Sequence, residues 1–180
     1  MTESMKVLIS ETQIQDRVAS LGSEVSATYK ALLSDEEPLL VIPVLSGSFV
    51  FAADLVRELS VPSEIDFIQL KSYEGSSSSG KVEIVKDIRA DLKGRNCLIV
   101  EDIVDTGLTA SFLLESLGDR KPKSLKLCSF LHKPSREEKK VPIDFLGFSI
   151  EDHFVVGYGL DFNGRWRHLK EVVIYEGGQK

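Results

Sequence analysis

Apolar residues in this chain come mainly in short runs that do not alternate with polar ones. Leu39-Leu40-Val41-Ile42-Pro43-Val44-Leu45, Leu98-Ile99-Val100 and Leu125-Lys126-Leu127-Cys128-Ser129-Phe130-Leu131 are the clearest. Such runs suit strands of a parallel sheet covered on both faces. Between them the spacing turns helical: Ile14, Val18, Leu21 and Val25 follow a Ser10-Glu11 cap, Phe49, Ala52, Ala53, Val56 and Leu59 form a second stripe, and Ala110-Ser111-Phe112-Leu113-Leu114 opens a third. Ile65-Asp66-Phe67-Ile68-Gln69-Leu70 and Val82-Glu83-Ile84-Val85 alternate as strands, Val7-Leu8-Ile9 and Phe145-Leu146-Gly147-Phe148 are short apolar segments, and Val172-Val173-Ile174-Tyr175 closes the chain as a strand. Strands alternating with helices predict an α/β fold around a mostly parallel sheet.

The junctions between strand and helix carry the chemistry. After Leu98-Ile99-Val100 come two carboxylates, Glu101 and Asp102, and then Asp105-Thr106-Gly107-Leu108-Thr109 leads into the third helix. A glycine turn at a helix N-terminus offers backbone N–H groups and the positive end of the helix dipole to a phosphate, with Thr106 and Thr109 as hydroxyl donors. Two carboxylates beside an anion fit if they grip sugar hydroxyls or a Mg²⁺ ion carried by the substrate. A ribose 5-phosphate is the simplest ligand with both parts; the plainer alternative is a solvated strand end with an Asp-capped helix. Ser46-Gly47-Ser48 repeats the strand, small-residue turn and helix arrangement, as a second phosphate loop or an ordinary connection. The Ser/Gly-rich stretch 71–80 cannot bury enough surface to fix a conformation, and is either an idle hairpin tip or a mobile lid. Pro134 makes extension of the preceding strand into a helix unfavourable, which leaves Lys133 just beyond the strand's carboxyl end, where open α/β sheets bind ligands.

Composition narrows the partners. The 180 residues fit one domain, 42% hydrophobic and 28% charged, without a membrane-spanning apolar stretch or a signal-like N-terminus. A net charge of −6 argues against a general nucleic-acid binder. Cys97 and Cys128, far apart and inside apolar segments, read as buried thiols of a reducing compartment, so a cytoplasmic location is expected. Gly157-x-Gly159 lacks the third glycine of a dinucleotide fingerprint, no P-loop pattern occurs, and His132, His153 and His168 show no zinc spacing.

The run from Leu98 to Thr109 resembles the signature of type I phosphoribosyltransferases, and further motifs between about Val41 and Arg167 resemble the hypoxanthine-guanine branch. The resemblance implies a single domain over 1–180: a central mostly parallel sheet flanked by helices, a small hood from the N- and C-terminal segments, and a flexible loop at about 71–82. It implies transfer of ribose 5-phosphate from 5-phospho-α-D-ribose 1-diphosphate (PRPP) to hypoxanthine or guanine, with Mg²⁺ and release of pyrophosphate, in purine salvage. By residue, Asp105, Thr106, Gly107, Leu108 and Thr109 surround the 5-phosphate, and Glu101 and Asp102 hold the ribose hydroxyls and serve as metal ligands. Asp105 faces the purine N7, where it accepts a proton or stabilises the reacting tautomer.

Leu45, Ser46 and Gly47 match the pyrophosphate loop, including a non-proline cis peptide at Leu45-Ser46, and Arg167 meets the leaving group. Lys133 donates to O6, Phe154 stacks on the base, and Val155 and Asp161 read its N1 edge, Asp161 also being a Mg²⁺ ligand. Ser72-Tyr73 opens the lid. Plainer readings stand beside these: Lys133 as an exposed lysine, Phe154 as core, Asp161 as a turn acid, Arg167 as a surface charge. One departure is Ser46, which stands where the family commonly has lysine. A homodimer or homotetramer is implied. Some proteins of this fold instead regulate nucleotide genes by binding RNA or DNA, which the acidic balance disfavours.

Overall fold

The computed structural model describes residues 5–34, 36–75 and 78–178; the side chains of residues 72–81 and 178 are outside that description. The larger sheet runs β5-β4-β2-β6-β7-β8, with β3 also on β2. Here β2 is Leu39–Leu45, β3 Ser63–Ile65, β4 Ile68–Gly75, β5 Ser78–Lys86, β6 Asn96–Val104, β7 Ser124–His132 and β8 Phe145–Ser149. All pairings are parallel except β4 with β5.

The apolar runs split by parity between two cores. Leu39, Val41, Leu98, Val100, Cys128 and Phe130 face α1 (Glu11–Tyr29) and α2 (Phe49–Arg57) on one side. Leu40, Ile42, Cys97, Ile99 and Leu127 face α3 (Leu108–Gly118) on the other. This double coverage is why these strands lack polar alternation. Each fully buried Val, Leu or Ile contributes about 1.5–3 kcal/mol, whereas an exposed ion pair contributes about 0–1 kcal/mol, so these two layers hold the fold. Helix α1 starts at a capping box in which Ser10 and Gln13 exchange side-chain bonds with each other's backbone N–H.

The segment expected as one strand over 65–70 is interrupted at Asp66-Phe67. The Asp66 carboxylate accepts N–H bonds from Phe67, Arg89 and Ala90, which turns the backbone out of the ladder and ties it to the chain after β5. The stretch expected as a lid falls on the β4–β5 hairpin, whose backbone pairs Ser72 with Val82, Tyr73 with Lys81 and Gly75 with Ser78; residues 76 and 77 lie outside the described residues. Near the chain ends, β1 (Met5–Ile9), β10 (Val172–Tyr175) and β9 (Val155–Val156) pair antiparallel into a second, small sheet.

From β2 the chain crosses through α2 to β4 on one side, while β6 lies on the other. The crevice between the carboxyl ends of β2 and β6 is therefore a topological switch point.

Candidate active site

A cleft of about 310 Å³ opens at that crevice, lined by Leu45 at the end of β2 and Gly47 just after it, Glu101 and Asp102 on β6, and Thr106 and Thr109 beyond it. Leu70 and Val82 of the hairpin close one wall. The two loops that sequence reasoning singled out as anion sites thus share one cavity.

Each loop is built for close approach. The Leu45-Ser46 peptide is cis. Ser48 anchors the turn by donating from Oγ to the Val44 carbonyl at 2.7 Å, while Ser46 itself is exposed. A side chain at Gly47 has no room, since its β-carbon would lie 1.5 Å from Asp102 Oδ2. Gly107 adopts φ +81° and caps α3, and a β-carbon there would lie 2.0 Å from the Lys139 carbonyl. The first helical bond of α3 runs from the Ser111 N–H to the Gly107 carbonyl at 2.9 Å, so the Thr109 and Ala110 amides have no partner within the helix. They sit where an anion would meet the positive end of the dipole.

Glu101 is buried at 5% exposure and Asp102 is half-buried. Burial, and then the Asp102 charge, push the Glu101 carboxyl well above its ordinary range, and burial also raises Asp102. Asp102 is held by the Ile103 N–H at 2.9 Å, and the Arg167 charge partly offsets its burial. Two carboxylates forced together out of water are stabilised by hydroxyl donors or a cation. No cluster of three or more acidic, His or Cys side chains suited to an ion occurs among the described residues. The donor set therefore fits Mg²⁺ shared with substrate oxygens, its usual mode, better than a cage made of protein alone.

Arg167 arrives from a tight double turn. It donates from Nη1 to the Gly159 carbonyl at 2.6 Å and pairs through Nη2 with Asp161 Oδ1 at 2.8 Å. The other Asp161 oxygen accepts the Gly164 N–H at 2.6 Å. Tyr158 in the same turn, at φ +49°, donates to Asp54 Oδ2 at 2.7 Å and so fastens it to α2. Phe154 is 36% exposed and packs edge-on against Phe162 at 5.5 Å, and Val155 beside it is buried in β9.

Lys133 is not an exposed lysine: it is buried at 6% exposure, its N–H bonded to the Val104 carbonyl at 3.0 Å and its ammonium 3.4 Å from Asp152. Pro134 does stop the strand, but one 3-10 turn, Pro134–Arg136, follows it. That turn delivers what sequence reasoning missed. Arg136 Nε donates to Asp105 Oδ1 at 3.0 Å, and the amides of Glu138 and Lys139 both donate to the Thr106 carbonyl at 3.0 Å, buttressing the turn at Asp105–Thr109. His132 Nε2 is buried without a hydrogen bond among the described residues, 3.7 Å from Glu137.

Residues 10–163 match the family described as Phosphoribosyl transferase domain. The chain belongs to the phosphoribosyltransferase family. Within it, this phosphoribosyltransferase is 47% identical over 173 residues to a hypoxanthine phosphoribosyltransferase of Salmonella typhimurium, covering 96% of each chain. A hypoxanthine-guanine phosphoribosyltransferase structure from Bacillus anthracis superposes with a TM-score of 0.87 at 40% identity, over 94% of this chain and 97% of that one. A hypoxanthine phosphoribosyl transferase structure from Trypanosoma cruzi gives a TM-score of 0.92 at 37% identity, over 98% and 94%. The expected α/β type I phosphoribosyltransferase fold is thus the one found.

Proposed function

We propose that this phosphoribosyltransferase moves the ribose 5-phosphate of PRPP onto hypoxanthine or guanine, giving the purine nucleotide and pyrophosphate in purine salvage. The observation that carries the assignment is the single cleft shared by a buried carboxylate pair, a helix-end anion loop and a second loop too tight for any side chain at Gly47. Nearly full-length similarity to enzymes named for that reaction supports it.

Amides of Thr106, Gly107, Leu108 and Thr109 take the 5-phosphate, and Glu101 and Asp102 accept hydrogen bonds from the ribose hydroxyls. Leu45, Ser46 and Gly47 hold pyrophosphate through backbone groups, with Arg167 opposite the leaving group. Asp161, beside Arg167, and the Glu101–Asp102 pair are the groups that would hold Mg²⁺, which when bound neutralises charge on pyrophosphate. Lys133 donates to O6, Phe154 stacks on the ring, and Val155 and Asp161 read the N1 edge. As purine N9 bonds to the anomeric carbon, the bond to pyrophosphate breaks and the N7 proton passes to Asp105. Ser72 and Tyr73 open a lid, 71–82, which excludes water from the charged ribose centre.

The same reading places the protein in the cytoplasm as one domain over 1–180, with the small sheet as its hood, in a homodimer or homotetramer without nucleic-acid or membrane partners. No helix among the described residues is long and apolar enough to cross a membrane. The test is incubation with PRPP, Mg²⁺ and one purine at a time. Nucleotide and pyrophosphate form with hypoxanthine or guanine and not with adenine; their absence with every 6-oxopurine overturns the assignment.

A further inference from the structure

Four alternating charges form a chain that begins at Asp105, in the lining of the cleft. Lys133 Nζ lies 3.4 Å from Asp152 Oδ1, Asp152 Oδ2 lies 3.7 Å from Arg136 Nη1, and Arg136 Nε donates to Asp105 Oδ1 at 3.0 Å. The side chains of Arg136, Asp152 and Asp105 are 46%, 49% and 36% exposed. Exposed ion pairs of this kind add little to folding stability, so the chain of charges is not explained as a device for holding the protein together. Its ends are the informative part. Lys133 and Asp105 are the two groups assigned to neighbouring heteroatoms on one edge of the purine, O6 and N7, and Asp152 and Arg136 bridge them.

From this arrangement we infer that Arg136 and Asp152 are positioning residues that set the separation and orientation of the O6 donor and the N7 proton acceptor. The inference rests on the proposed reaction. Arg136 occupies Oδ1 of Asp105, while Oδ2 takes no hydrogen bond among the described residues, so the carboxylate is turned with one oxygen free for the base. Asp152 uses one oxygen to steer the Lys133 ammonium and the other to hold Arg136. The guanidinium suits the bridge because its planar fork presents Nε and Nη1 to two different carboxylates at once; a lysine is a single point charge. The short turn Pro134–Arg136 fixes the geometry, since the Arg136 N–H bonds back to the Lys133 carbonyl at 3.0 Å.

The experiment is steady-state kinetics with hypoxanthine and PRPP on wild type, Arg136→Gln, Arg136→Lys, Asp152→Asn, the Arg136→Gln/Asp152→Asn double variant and Asp105→Asn, with circular dichroism on each. Misplacing a reacting group by about 1 Å can cost on the order of a hundredfold, so Arg136→Gln is expected to lower kcat by about ten- to a hundredfold. Its KM for PRPP stays within about twofold, because the displaced groups face the purine. Arg136→Lys recovers part of the loss, and the double variant is no slower than the slower single one, as expected of residues acting through one bridge. If wild type is active and Asp105→Asn impaired while Arg136→Gln matches wild type, the inference falls and the function stands. An Arg136→Gln variant whose KM for PRPP rises as far as kcat falls also overturns it. If wild type forms no nucleotide with any 6-oxopurine, the functional assignment fails and takes this inference with it.

Discussion

Gly47 and Asp102 press against each other across the floor of the cleft: the space a β-carbon at 47 would need is occupied by Asp102 Oδ2, 1.5 Å away. Asp102 cannot swing away freely, because the Ile103 amide holds its other oxygen at 2.9 Å. Gly47→Ala therefore displaces either the Leu45–Gly47 loop, to which pyrophosphate binding is proposed, or Asp102, the proposed ribose-binding acid. We expect kcat/KM for PRPP to fall about a hundredfold, on the scale of a misplaced binding group. Gly118→Ala, where nothing lies within 4 Å, is the matched control and leaves kcat/KM unchanged.

Asp105→Asn tests the proton-accepting role proposed for Asp105. The amide keeps the shape of the side chain and can still meet Arg136 through its oxygen, but it cannot take the N7 proton. Turnover should fall by about 10²–10⁴-fold, the usual range for a general base, while the KM for PRPP changes little. A drop in PRPP affinity as large as the drop in turnover would leave Asp105 with its place around the 5-phosphate and no role in proton transfer.

The raised carboxyl of Glu101 predicts a pH signature. Its ordinary value is near 4.5, and burial lifts it well above that in the folded protein. Between the two values the folded state binds more protons than the unfolded one, so stability falls as pH rises. Glu101→Gln removes this term. The variant should thus gain Tm relative to wild type as pH is raised from about 5 to about 8, by roughly 2–4 °C for each kcal/mol, in thermal unfolding without ligand. If Glu101 and Asp102 accept hydrogen bonds from ribose hydroxyls as proposed, binding favours the ionised pair, so PRPP affinity in wild type should weaken on acidification. A constant Tm difference across pH would show that Glu101 is not held protonated.

What the chain pattern revealed, and what it hid, follows from range. The strands around Val41, Ile99 and Leu127 were legible because burial on both faces leaves a continuous apolar signal within a few residues. The loop at Asp105–Thr109 was legible because glycine and threonine at a strand-to-helix junction have a local reason. Arg136 was not: Lys133-Pro134-Ser135-Arg136-Glu137-Glu138-Lys139-Lys140 reads as a solvated charge run, and its reach to Asp105, 31 residues back, depends on β6 and β7 lying side by side. The break at Asp66 was hidden likewise, since its partners Arg89 and Ala90 come 23 and 24 residues later. The signal available in both cases was a polar residue with no local duty at the end of a strand.

Lys133 offers the sharpest test of base selection. Under the proposed function its buried ammonium gains an acceptor in a 6-oxopurine, but in adenine it faces another donor and keeps only Asp152, 3.4 Å away. A hydrogen bond to a charged group contributes about 1.5–3 kcal/mol, which is roughly 10–150-fold in affinity. Lys133→Met should therefore raise the KM for hypoxanthine by about that factor and narrow the gap between hypoxanthine and adenine. Stability should change little, because Asp152, half exposed, regains water when its partner is removed and is not left as a buried unpaired charge. Parallel kinetics with both bases, read beside Tm, separate the outcomes. If Lys133→Met keeps its hypoxanthine KM but unfolds earlier, the lysine serves the fold through Asp152, and the recognition of O6 must be assigned to another group.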